Sequence, residues 1–124
     1  MEKQAQRLAN ALFDAADEEK AQDIVLLDVS ELTIICDYFL ICTGASLTHV
    51  KAIAEGVLER LEEQGVTPLS LEMPRDARWI VLDYGSVVVH VFTAEARAFY
   101  DLEELWSKAK LVRPSLEPQG ADIS

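Results

Sequence analysis

Basic residues are scarce in this chain: 11 Lys and Arg stand against 22 Asp and Glu, a net charge of −11 at pH 7. The imbalance sits in the body, where residues 1 to 106 hold 20 acidic and 8 basic residues, a balance of −12, and the remainder is +1. Such a surface repels phosphate backbones and anionic lipid and speeds encounter with basic partners, so direct nucleic-acid binding is disfavoured. The plainer alternative is charge that serves solubility alone. Cysteine is nearly absent, and Cys36 and Cys42 fit neither a secreted disulfide framework nor the paired spacing of a zinc site. Both are expected to be buried thiols in a reducing compartment. No apolar run approaches the roughly 18 to 20 residues of a membrane span, and Met1-Glu-Lys-Gln4 carries no signal-peptide apolar region. The expectation is a soluble, unexported, cytoplasmic protein with no membrane partner.

The usual signatures of catalysis are missing as well. Gly44-Ala45-Ser46 lies where a strand should turn into a helix and could cradle a phosphate, but the P-loop and dinucleotide fingerprints are both absent. A turn followed by a helix cap is the better reading. Nucleotidyl transfer would need carboxylates paired as DxD or DxE to hold magnesium, and no such pair stands in or beside the apolar strands. His49 and His90 have no credible nucleophile near them in the sequence. His90, within an apolar strand, reads as a satisfied structural histidine facing Asp83 loosely across a hairpin, and His49 as a helix-surface residue. No catalytic residue, metal ligand or cofactor is therefore assigned.

What the chain does contain is a decided hairpin. In Trp79-Ile-Val-Leu-Asp-Tyr-Gly-Ser-Val-Val-Val-His-Val-Phe92, two apolar β-branched runs flank Gly85-Ser86 at the length of a tight turn. The second run, Val87 to Phe92, has so little polar alternation that both its faces should be covered, which makes it a central strand. Before the hairpin, Ala5, Leu8, Leu12 and Ala15 predict an amphipathic helix over residues 2 to 20. Asp23 to Asp28 and Tyr38 to Thr43 predict strands, and Val29 to Asp37 is open between strand and apolar connection. Ser46 should cap a long helix whose apolar face runs from Leu47 to Leu61, with Gly65 as its left-handed stop. Thr67 to Leu71 predicts a short edge strand, Thr93 caps a helix through Tyr100, and Leu102 to Lys110 continues it. One domain over residues 1 to 112 with a flexible tail over 113 to 124 follows, the body an α/β architecture with a mixed sheet covered by helices. A Trp at the start of a strand, after the polar loop Glu72 to Arg78, is readily left at the rim of a sheet. Ringed by acidic residues there, Trp79 is a candidate hot spot for a basic partner.

Four stretches carry a resemblance: Asp37-Tyr-Phe-Leu-Ile-Cys-Thr-Gly-Ala-Ser46, His49-Val-Lys-Ala-Ile-Ala54, the hairpin Trp79 to Phe92, and Arg97-Ala-Phe-Tyr-Asp-Leu-Glu-Glu-Leu-Trp106. From about Lys20 to Trp106 they resemble the ribosomal silencing factor family, also called Iojap. The resemblance implies a nucleotidyltransferase-like fold without catalytic carboxylates, and no enzymatic activity. It implies a translational repressor that binds the large ribosomal subunit through its ribosomal protein fourteen and sterically blocks joining of the small subunit when nutrients are scarce. By the same match, Trp79, Leu82, Asp83 and Tyr84 stand in the partner contact, with Asp37, Tyr38 and Lys51 as further positions. Ser86 departs from the Asp usual after the hairpin glycine. A nucleotidyltransferase-like enzyme or nucleotide binder is the alternative from another class, and a neighbouring helix, or a second subunit of a homodimer, is the other cover open to the Trp79 ring.

Overall fold

The computed structural model describes residues 2–112, and the tail expected from Arg113 lies outside them. Ten elements follow one another along the chain: α1 (Glu2–Glu18), β1 (Gln22–Asp28), β2 (Tyr38–Gly44), α2 (Leu47–Glu63), β3 (Ser70–Glu72), β4 (Trp79–Asp83), β5 (Val87–Thr93), α3 (Ala94–Tyr100), α4 (Leu102–Leu105) and β6 (Lys110–Val112). The strands form one six-stranded sheet in the order β3-β4-β5-β2-β1-β6. Only β2 and β5 run parallel, and the other neighbours are antiparallel. The mixed sheet, the interior position of β5 and the edge position of β3 are as the sequence predicts.

Local signals explain why the elements start and stop where they do. At the head of α2 the Ser46 hydroxyl accepts from the His49 N–H at 3.1 Å. At its foot Gly65, with φ 83, donates to Glu62 O while Val66 donates to Leu61 O. That pair of bonds is a Schellman ending, which the left-handed glycine permits. In the hairpin, Tyr84 N–H donates to Val87 O at 2.9 Å, and Gly85, with φ 92, supplies the positive-φ position of the connection. The Asp83 carboxylate accepts from Gly85 N–H at 2.8 Å and reinforces the turn. Of the two alternatives, the 29–37 stretch is the connection, not a strand. It closes on itself through Val29 N–H to Asp37 O and leaves Ile34 and Ile35 in solvent.

The helix predicted to run on from Leu102 to Lys110 is only one turn long. Asp101 adopts a left-handed conformation, φ 48 and ψ 55, which breaks it from α3, and the chain then returns as β6 against β1. Helical spacing of Leu105 and Trp106 was too short a pattern to exclude a strand three residues later.

Alternation along the strands divides the core in two. One face carries Leu40, Cys42, Ile80, Leu82, Val89 and Val91 and lies under α1 and α2. The other carries Ile41, Phe92 and Val29 with the half-buried Phe39, Val88 and Trp79, and is covered by the short α3 and α4 with Trp106. The first face is closed; the second is half open.

Candidate functional site

Strand β4 sets the geometry of the open face. Ile80 and Leu82 are fully enclosed, whereas Trp79, Val81 and Asp83 are half-buried, so the period of two assigns alternate residues to opposite layers. Leu82, expected in a partner contact, is therefore core beneath the helices. Tyr84 continues the same set, and Tyr38 likewise belongs to the helix-covered layer. Neither offers more than 7% of its surface. Tyr84 Oη is buried with no hydrogen-bond partner among the described residues, and burial pushes its hydroxyl up to about 12.

Trp79 sits neither in the core nor free at the rim. Its ring stacks on Phe92 at 5.0 Å between centroids and packs at a tilt against Tyr100, which α3 brings across it, at 4.6 Å. The indole Nε1–H donates to His90 Nδ1 at 3.1 Å. His90 stands opposite Val81, while Asp83 stands opposite Val88, so the expected pairing of His90 with Asp83 across the hairpin is absent. His90 is also only half satisfied, since its Nε2 is buried without a partner among the described residues. Burial lowers its pKa to about 4, so the imidazole is neutral at physiological pH.

Beside Trp79 a groove of about 860 Å³ opens between the 72–78 loop, β4 and α3. Its walls are apolar at Met73, Pro74, Trp79, Val81, Phe99 and Tyr100, and its rim carries Glu72, Asp76 and Glu95 with Arg78. Phe99 is 80% exposed and Tyr100 48%, an apolar display beside the half-open face. Arg78 and Asp76 approach at 3.7 Å, both well solvated, a contact of little energetic weight. Val81 and the walls from α3 were missed as a group because their meeting depends on how α3 folds back. The alternation of β4 was the available signal for Val81.

The remaining expected residues lie elsewhere. Asp37 and Asp83 come together at the hairpin-turn end of the sheet, where Asp37 N–H and Tyr38 N–H both donate to Ser86 O. Lys51 is exposed on α2, on the far layer from the open face. His49, expected on the helix surface, is a tie between helices: its Nδ1 accepts from Ala45 N–H at 2.8 Å and its Nε2 lies 2.9 Å from Glu19 O. With Nδ1 accepting, Nε2 carries the proton and donates to that carbonyl. Arg97 is a second tie that went unassigned. Its guanidinium donates to Asp23 O and Thr43 Oγ1, each at 2.8 Å, and grips Glu103 by two bonds of 3.2 and 2.7 Å.

Both thiols are buried and free, and desolvation raises Cys36 to about 11 and Cys42 to about 12, so neither is a thiolate at neutral pH. Among the described residues no three His, Cys, Asp or Glu side chains are grouped to hold a metal ion, and no helix is long and apolar enough to cross a membrane.

Comparison with known proteins gives this arrangement its context. The model of the family described as "Ribosomal silencing factor during starvation" matches residues 2–123. The ribosomal silencing factor RsfS of Halalkalibacterium halodurans is 41% identical over 115 residues, spanning 93% of this chain and 95% of that protein. Its counterpart in Bacillus subtilis is 42% identical over 97 residues, 78% of this chain and 82% of that one. A crystal structure from Chromobacterium violaceum superimposes with a TM-score of 0.79 at 36% identity, covering 82% of this chain and 85% of the other.

Proposed function

This chain belongs to the ribosomal silencing factor family, and on that premise we propose that it represses translation by occupying the large ribosomal subunit, without catalysing a reaction. The contact in this reading is with ribosomal protein fourteen of that subunit, and its consequence is a steric block to joining of the small subunit under nutrient limitation. The nucleotidyltransferase-like fold implied by the resemblance belongs to the same proposal.

The observation that carries the reading is the half-open aromatic face around Trp79. Its Phe99 and Tyr100 rings are exposed beside an acidic rim. Large rigid rings held in place lose little entropy on binding, and carboxylates around them favour a basic counterpart, the chemistry of ribosomal proteins in general. From β4 the contacting residues are then Trp79 and Val81, which line the groove, whereas Asp83 lies at the hairpin-turn end and falls outside it. Leu82 and Tyr84 act through the packing beneath, and Asp37 and Lys51 fall outside the face.

Co-sedimentation with purified large subunits tests the proposal directly. The chain should pellet with large subunits and not with small ones, and preloading should reduce the yield of joined ribosomes. Failure to pellet, or joining that proceeds unchanged on loaded subunits, would remove this reading.

A further inference from the structure

The aromatic face contains one polar contact that its packing does not require. Trp79 has a single hydrogen-bond donor, its indole N–H, and that donor is spent inside the protein on His90 Nδ1 at 3.1 Å. His90 is 7% exposed, with Phe39 edge-on to its imidazole at 5.0 Å between centroids and Phe92 stacked at 6.2 Å. Rings on two strands therefore hold the imidazole fixed. The geometry demands the tautomer with the proton on Nε2, whose N–H is left without a partner among the described residues. A buried donor without a partner is costly, and a phenylalanine at this place in β5 would fill the same volume without that cost.

We propose that His90 is a positioning residue for the ribosome contact: by accepting the indole N–H it holds the Trp79 ring at one orientation across the groove, so that a partner meets the ring's π face and edge, never its N–H. The inference rests on the reading of Trp79 as part of that contact. Without the acceptor the indole N–H must turn toward water or toward the partner, and the ring loses its fixed tilt against Tyr100 (44° between planes). Affinity then falls because the ring has to be ordered during binding.

Three variants test this with purified large subunits. His90→Phe keeps a ring of similar size and removes the acceptor, and it should bind about tenfold more weakly, the scale of one well-placed hydrogen bond. His90→Asn offers Oδ1 near the place of Nδ1 and should recover most of that loss, a rescue that simple core packing would not give because Asn is the smaller side chain. In parallel, the Trp79 indole N–H resonance, assigned against Trp106→Phe, should be protected from exchange in the wild type and exposed in His90→Phe. A folded His90→Phe that binds as the wild type does, beside a folded Trp79→Ala that does not bind, overturns the role of His90 alone. A folded Trp79→Ala with unchanged binding removes the contact itself and this inference with it. Should His90→Phe fail to fold, the wild-type indole decides: a freely exchanging N–H overturns the proposal, and a protected one that shifts in His90→Asn supports it.

Discussion

Trp79 and His90 are where chemistry and packing are hardest to separate. Trp79→Ala removes a ring that stacks on Phe92 and packs at a tilt against Tyr100, and if that ring were fully core the change would cost about 3 to 5 kcal/mol of stability. Half-buried, it should cost less, and subunit binding should weaken by about 2 kcal/mol or more, the hot-spot range. Melting and binding measured on one preparation check this, and a folded variant with normal affinity would place the contact elsewhere. His90 gives a pH prediction of fixed sign. Unfolded, the imidazole takes up a proton near its ordinary value of 6.5, while burial holds the folded one neutral until about pH 4. The unfolded state therefore binds more protons between those values, so this contribution is whole above pH 6.5 and lost as pH falls toward 4, on the order of 3 kcal/mol at most. Melting temperature should decline over that window, and His90→Phe should decline less. An equal decline in both would assign the effect to the carboxylates.

Between elements, β2 and α2 approach each other closely at Gly44. A Cβ on Gly44 would stand 2.7 Å from both Val50 Cγ2 and Val50 N, and the second of these is backbone that cannot swing aside. The glycine serves close approach here, not turn conformation, in contrast to Gly85. Gly44→Ala should cost about 1 to 3 kcal/mol, as overpacking does, measurable as a lower urea midpoint; an unchanged midpoint would mean that α2 can slide. The same junction shows what was legible. Ser46, Gly65 and Thr93 announced their caps because a cap is a local event of a few residues. The break at Asp101 and the return of Lys110–Val112 were hidden, because β6 exists only through pairing with β1, some eighty residues earlier in the chain.

At the scale of the whole molecule, charge is the leading property. With a balance of −12 over residues 1 to 106, association with large subunits through a basic surface should slow as salt rises, since attraction is screened over about 8 Å at physiological ionic strength. Stopped-flow association from low to physiological salt checks this, and a flat rate would leave the acidic surface a role in solubility only. The candidate site was legible in part for a related reason. Trp79 stood out because a large ring followed a polar loop, whereas Leu82 and Tyr84 were placed with it by the family resemblance. The sheet instead sends them to the opposite layer, whose α1 and α2 cover is complete.

The sequence alone determined the hairpin, the two long helices, the caps of α2 and α3, the mixed sheet and the acidic surface, because each depends on periodicity, turn chemistry or composition, which are properties of neighbouring residues. Only the tertiary structure decided which rings lie open, that His90 holds Trp79, that Arg97 ties α3 to Asp23 and Thr43, and that His49 joins α2 to the end of α1. Those are meetings of residues far apart in the chain, and burial and hydrogen-bond geometry exist only once the layers have closed on each other.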